Sequence, residues 1–567
     1  MDLKSLIRHA KGDEPADLLL KHARVVNVLS GQVENTSVAL AGDYIVGLGD
    51  YRAREEIDLA GSFVAPGFID AHVHIESALV PPAEFARAVV PRGTTTVVTD
   101  PHEIANVLGL EGIRFMFESA KFGPLSMYVM ASSCVPATGL STNGAVLHGY
   151  DLFPLKSDPW VLGLAEVMNY AGVIDGDDAV LEKIGAFQDR VIDGHSPGLT
   201  GAALQAYIAS GIQSDHESTT PEEALEKLRL GMMIMIREGS VARDLAALVP
   251  IVTPGNQHRF CFCTDDCQPA DLVTRGGIDH AIRSAVALGM DPITAVRLAT
   301  WNPAQHFRLH NRGAVTPGRR ADLVVFDDLQ APHPRLVFRN GGLVAKDGAM
   351  AVTPRPPSRT LRSTMNVAWE SVDFRIAAEG RVARAIGVVP NRLVTEALTA
   401  EPIIRDGQAL ADPARGLLKI AVIERHMASG AVGRGFVRGL GLREGALASS
   451  VAHDHHNLIV IGADDASMMT AARRVGALHG GMVVASGGRV LAEVALPIGG
   501  LMSAAPVETV CAQVESAVSA ARGLGSPLHD PFMAMSFLAL EVIPSLKLTD
   551  KGLVDVAQRA IVPLWVE

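Results

Sequence analysis

The sequence predicts an α/β protein: a TIM-like (β/α)8 barrel, a composite β-sandwich subdomain drawn from both flanks of the barrel, and a C-terminal α/β domain. Three observations predict it. Between residues 67 and 311, eight apolar runs of strand length alternate with amphipathic stretches of helix length. On either side of that segment the pattern turns to short strands separated by Gly and Asn/Asp turns. From residue 364 strands and helices mix again, behind a stretch rich in Pro, Arg and Ser.

Taken in order, residues 1–66 form the N-terminal part of the β-subdomain, with strand runs in DLLLKHARVVNV, TSVALAGDYIVGLG and EEIDLAGSFVAPG. The barrel strands are read in GFIDAHVHI, TTTVVTD, LSMYVMASS, VLGLAEVM, RVIDGHSP, GIQSDHES, GMMIMIREGS and RFCFCTDD. Helices are read between them, including EIANVLGLEGIRFMFESA, DAVLEKIGAFQD, LTGAALQAYIAS and TPEEALEKLRL. The last has a clear start: Thr219 or Thr220 caps it, Pro221 fits the first turn, and Glu222 and Glu223 face the positive end. A doubly wound sheet is the rival arrangement, but no Gly-rich phosphate loop accompanies these strands.

Residues 312–352 return to strands in GAVTPGRRADLVVFDD and RLVFRNGGLVAKDG. They are expected to pair with the N-terminal strands, which brings the two ends of the barrel segment together. Residues 353–363, TPRPPSRTLRS, read as a linker, and residues 364–567 as the C-terminal α/β domain. Within that domain Ser486-Gly487-Gly488 lies between two apolar runs and predicts a hairpin.

A chain of 567 residues exceeds one hydrophobic core. Its 48% hydrophobic and 20% charged residues are those of a soluble globular protein. A net charge of -12 argues against a nucleic-acid partner, which demands a basic face. The five cysteines are sparse and odd in number, so no disulfide framework is expected and a cytoplasmic location is. The start, MDLKSLIRHAKGDEP, has no apolar h-region, and no run approaches the ~20 apolar residues of a membrane span. No membrane partner is therefore expected.

Functional side chains of such a barrel gather at the C-terminal ends of its strands. There the sequence places His72 and His74, which alternation along a strand sends to one face. It also places Asp100 and His102 after the second run, Glu166 on the fourth, His195 on the fifth, His216 and Glu217 on the sixth, and Asp265 and Asp266 on the eighth. Each alone has a plainer reading: a hydrogen-bonded loop histidine, a helix cap, half an ion pair. Together, four of these histidines and two of these carboxylates at one end of a barrel are costly without a cation. The donors exceed what one four-coordinate ion needs, so two ions sharing a carboxylate are expected. Imidazole and carboxylate donors suit Zn, Fe(II) or Mn(II). Cys261, Cys263 and Cys267 offer a rival thiolate set, but C-x-C is not the usual C-x-x-C spacing, and they read as small buried residues beside the site.

GFIDAHVHIES, followed by His195, His216 and TDD, resembles the amidohydrolase superfamily, as does the returning segment GRRADLVVFD. SSVAHDHHNLIVIGAD resembles the C-terminal motif of the bacterial adenine deaminase family, so that the resemblance covers essentially the whole chain. Relatives that hydrolyse cyclic amides bridge their metals with a carboxylated lysine. Here the only lysines between residues 75 and 215 are Lys121, Lys156 and Lys183, and Glu166 stands where a bridge is needed. The resemblance implies a binuclear divalent metal centre, with Mn or Fe(II) favoured and Zn possible. It implies adenine as substrate, deaminated hydrolytically to hypoxanthine and ammonia in purine salvage. The protein is expected to be a cytoplasmic homo-oligomer, a dimer.

On that basis His72 and His74 hold one metal with Asp265, His195 and His216 hold the other, and Glu166 bridges. Asp265 is the expected base, and Glu217 is expected to protonate a ring nitrogen. Asp100, His102 and Asp266 either hold the ligands or bind the purine or an extra ion. His453, Asp454, His455, His456 and Asn457 either begin a strand on a solvent face or, as the resemblance implies, close over the site and read the base. Two alternatives stand beside this reading: a dihydropyrimidinase-like hydrolase of a cyclic amide or imide, and a non-catalytic scaffold of the same fold. Glu166 argues against the first, and the complete ligand set against the second.

Overall fold

In the computed structural model, which describes every residue except 241, 356–360, 391, 393 and 567, the eight central runs form parallel strands. They span Phe68–His74, Thr94–Thr99, Ser126–Ala131, Val161–Val167, Val191–Gly194, Ser214–Asp215, Met233–Arg237 and Phe260–Cys263. Every residue of the first, second, third and seventh is buried. Such strands meet the barrel interior on one face and the helical shell on the other, so their sequences run apolar rather than alternating.

The first five strands pair in chain order, and the sixth to eighth form a second ladder. Gln213 N donates to Ile192 O at 2.9 Å across the gap between the fifth and sixth. On the other side the two-residue strand Asp265–Asp266 pairs with Val73 and His74. That last pairing sets Asp265 directly beside the H-x-H strand. Cys261 and Cys263 pack in the barrel interior with Ile69, Val98 and Met235, and all five cysteines are free and buried.

Helix Pro221–Arg229 starts as its sequence demands: Thr220 Oγ1 accepts from Glu223 N at 3.3 Å. The stretch 103–120, expected as one helix, is two, His102–Leu108 and Leu110–Ala120. Gly109 lies between them at φ +60°, a left-handed conformation that glycine adopts without a Cβ clash. The break separates His102–Leu108, buried along its whole length, from its partly exposed successor. A helix at Leu3–Lys11 was not anticipated; Asp2 caps it by accepting from Ser5 N at 2.8 Å.

The two flanks share one nine-stranded sheet. Phe63–Pro66 is its join, pairing parallel with Ala16–Asn27 and antiparallel with Leu323–Phe326. Part of the linker read at 353–363 lies outside the described residues. The C-terminal region builds an eight-stranded sheet whose hairpin turns at Gly487 and Gly488, with φ of +55° and +76°. Helix Asp465–Ala477 covers one face of that sheet through Met468, Ala471 and Val475, packed on Val460 and Val483. The other face joins the barrel: Leu501, Met502 and Phe532 share one apolar cluster with Ile104 and Leu108. Among the described residues no helix is long and apolar enough to cross a membrane.

Candidate metal centre

His72 and His74 leave the first strand on one face, and their Nε2 atoms are 3.1 Å apart. His74 is oriented by its Nδ1, which donates to the Asp100 carbonyl at 3.0 Å and leaves Nε2 as a lone-pair donor. Asp265 Oδ1 completes the group, 3.5 Å from His72 Nε2 and 3.1 Å from His74 Nε2. Asp265 has φ +57°, a conformation that costs a non-glycine residue about 1–2 kcal/mol. The ladder to Val73 and His74 holds it there. The strain aims the carboxylate at the two histidines.

Glu166 reaches in from the fourth strand with its two oxygens divided. Oε1 lies 3.1 Å from His74 Nε2 and 3.6 Å from His72 Nε2. Oε2 lies 2.7 Å from His195 Nδ1 and 3.3 Å from His216 Nε2. His216 in turn stacks on His72 with ring centroids 4.2 Å apart. Burial alone raises the Glu166 carboxyl, but hydrogen bonds to His195, His216 and His74 outweigh it and hold the group well below the usual carboxylate range. Asp265 is treated alike: burial raises it, while His72, His74 and Arg237 bring it well below. Donor atoms of three sets lie within 4.8 Å of one another: His72, His216 and Asp265; Glu166, His195 and His216; and His74, Asp100, His102 and Glu166. Buried lone pairs converging on common points fit a divalent metal centre.

Around these donors lie the polar residues expected nearby. His102 Nδ1 is 3.0 Å from Asp100 Oδ2, while Asp100 Oδ1 accepts from Ser132 Oγ at 2.9 Å. Asp266 accepts from Ser77 Oγ. Glu217 is held by Arg237, a residue that sequence reasoning missed. Arg237 Nη1 and Nη2 clasp the Glu217 carboxylate, Nη1 also donates to Asp265 Oδ2 at 2.8 Å, and Nε donates to Asp244 Oδ2 at 3.3 Å. Burial raises Glu217, but Arg237 and the nearby His195 and His216 prevail and keep it below its ordinary value. Arg237 ends the seventh strand, the same signal that located the other site residues.

The HDHHN motif is buried against the barrel, not exposed on a solvent face. His453 Nδ1 and His456 Nε2 each hydrogen-bond one oxygen of Glu103, the second residue of helix His102–Leu108. Asp454 Oδ1 is 3.6 Å from His102 Nε2, and its Oδ2 is buried with no hydrogen-bond partner among the described residues. Asn457 Nδ2 donates to Thr142 O at 2.8 Å, in the loop after the third strand. His455 Nδ1 accepts from Asn457 N at 2.9 Å, and its carbonyl accepts from His426 Nε2 at 2.7 Å. Glu103, the barrel's partner for this motif, was also missed. Between the two units lies a small cavity of about 20 Å³, lined by Leu79, Met482, Leu501 and Phe532 with Glu103 and Gln268.

A barrel carrying H-x-H on its first strand, with histidines and an aspartate at later strand ends, defines an amidohydrolase, and the profile of the amidohydrolase family matches residues 63–350. The profile of the adenine deaminase C-terminal domain matches residues 392–560. The chain is 49% identical to the adenine deaminase of Desulfatibacillum aliphaticivorans over 97% of each chain. It is 47% identical to that of Methanothrix thermoacetophila over 100% of each. The chain belongs to the adenine deaminase family. Among solved structures, an adenine deaminase has TM-score 0.46 at 17% identity, covering 58% of this chain and 99% of its own.

Proposed function

We propose that this protein is an adenine aminohydrolase, converting adenine and water to hypoxanthine and ammonia in purine salvage. The observation that carries the reading is the division of Glu166 between two histidine pairs, in a chain related along its whole length to adenine deaminases. A lysine bridge would have favoured cyclic amides, and none stands there.

Water is a weak nucleophile at neutral pH, and an aromatic amine is a poor leaving group. Two divalent cations, Mn or Fe(II) favoured and Zn possible, held by His72, His74 and Asp265 and by His195 and His216 with Glu166 between, would lower the pKa of water toward neutrality. Asp265, kept ionised by Arg237, takes the proton of the attacking water and passes it to the departing amine. Attack falls on C6, the carbon bearing the amino group. Because Arg237 also holds Glu217 ionised, Glu217 protonates a ring nitrogen only with a proton first taken from the reaction. Asp100 orients His74 through its carbonyl and His102 through its carboxylate. We place the base beside the metal donors, within reach of Asp265 and Glu217, with the HDHHN motif closing over it through Glu103 and His102.

The reading includes a cytoplasmic homodimer; the five free cysteines suit a reducing compartment, and light scattering checks the assembly. Ammonia release from adenine by the metal-loaded protein tests the activity. Opening of dihydropyrimidines without ammonia from adenine would overturn it in favour of a cyclic-amide hydrolase.

A further inference from the structure

At the far end of the barrel, where its helical shell meets the nine-stranded sheet, an open cleft of about 490 Å³ is lined by an unusual concentration of cations. Arg312, Arg320 and Arg339 reach it from the sheet side, Lys121 from the end of helix Leu110–Ala120, and Arg355 from the segment after the last strand of the sheet. Two of the arginines are neutralised: Arg320 pairs with Asp43, and Arg312 with Asp322. Arg339, Lys121 and Arg355 have no carboxylate within 4.0 Å among the described residues.

Arg339 is the informative one. It is half-buried, and its Nε and Nη1 donate to neutral oxygens, Ser126 Oγ at 3.1 Å and Gly123 O at 2.8 Å. Those bonds fix the guanidinium plane without pairing its charge, and burial pulls the group below the ordinary arginine range although the more distant Asp322 acts the other way. A fixed, unpaired fork beside two further cations is costly on its own and suits an anion that accepts several hydrogen bonds. The rest of the protein carries a net charge of opposite sign, which makes the local excess more pointed. Two aromatic rings stand at the rim: Phe122, 75% exposed, and Trp160, which packs on Tyr128 with centroids 5.0 Å apart.

We propose that this cleft is a second ligand site, separate from the metal centre, that binds a phosphate monoester, with Arg339, Lys121 and Arg355 as the anion's partners. A monoester carries about -1.5 to -2 charges at neutral pH and three acceptor oxygens, which the three free cations match. Inorganic phosphate and the phosphate of a nucleoside monophosphate share that chemistry, and the aromatic rim offers the second a stacking face.

Calorimetric titration of the metal-loaded, full-length protein with AMP, inorganic phosphate and adenosine tests the site. Both phosphate ligands are expected to bind, more weakly at high salt. The double variant Arg339→Gln/Lys121→Gln is expected to weaken both at least tenfold while leaving adenine turnover without ligand unchanged. Lys121→Gln alone, at an exposed position, reports the same loss in smaller measure if the double variant fails to fold. Trp160→Leu separates the two sources: it weakens AMP alone if a nucleotide is the ligand, and neither if inorganic phosphate is. No binding of either phosphate ligand, or binding unchanged in the variants, overturns the proposal. Adenosine bound as tightly as AMP also overturns it.

Discussion

Glu103 and His453 meet across 350 residues of sequence, the carboxylate Oε1 against the imidazole Nδ1. The first stands on the barrel helix that follows the second strand, the second on the motif that resembles the adenine deaminase C-terminus. His456 takes the other carboxylate oxygen, so one side chain of the barrel anchors two of the C-terminal domain. Glu103, His453 and His456 also line the small cavity between the two units, so this anchor sits at their seam.

Glu103→Gln removes the charge that strengthens both bonds while keeping the side chain's shape. Loss of a group that orients site residues typically costs about 10–100-fold. The variant is expected to lose that much in kcat/KM for adenine, with its metal content unchanged by elemental analysis. A parallel loss of metal would instead place Glu103 among the ligands.

Arg237 holds Glu217 and Asp265 with one guanidinium, and all three are buried. Removing one partner of such a network leaves uncompensated charge and costs about 3–5 kcal/mol. Arg237→Gln should therefore lower the melting temperature and nearly abolish turnover. Arg237→Lys keeps the charge but not the two-pronged grip, and should recover stability further than it recovers kcat. Equal recovery of both would mean that the charge alone matters.

Lys547 is fully buried, and burial pulls its ammonium down to about 7. The unfolded lysine keeps its proton to about 10.4. Between those values the unfolded chain binds more protons, so this residue makes stability rise with pH across that window. In Lys547→Met that contribution is absent. The melting temperature of the variant, compared with the unsubstituted protein, should be relatively highest at pH 7 and lose ground steadily toward pH 10. A gap constant over that range contradicts the assignment.

The barrel strands were legible because burial on both faces makes them apolar, and because each ends abruptly in polar residues; His72, Glu166 and Asp265 were found at such ends. Arg237 stands at the same kind of end and was passed over only because a strand-terminal arginine also reads as an ordinary surface residue. Glu103 was harder to see. Its meaning comes from His453 and His456, and no local pattern announces a partner 350 residues away. The break at Gly109 was hidden by helical residues on both sides, whose propensity says nothing about the direction each helix must take. Helix Leu3–Lys11 does carry apolar residues at helical spacing, Leu3, Leu6, Ile7 and Ala10, with Asp2 as its cap. Its signal was present in the sequence and was missed because the stretch is short and polar overall.

In the proposed mechanism Glu166 joins two metal positions into one deaminating centre. Chelated protein, given Mn stepwise and followed by loss of adenine absorbance, tests it most directly. Activity should be absent without metal, rise until about two equivalents per chain are bound, and stay absent in Glu166→Gln at any addition. Full activity in the chelated protein, or saturation at one equivalent, contradicts the account.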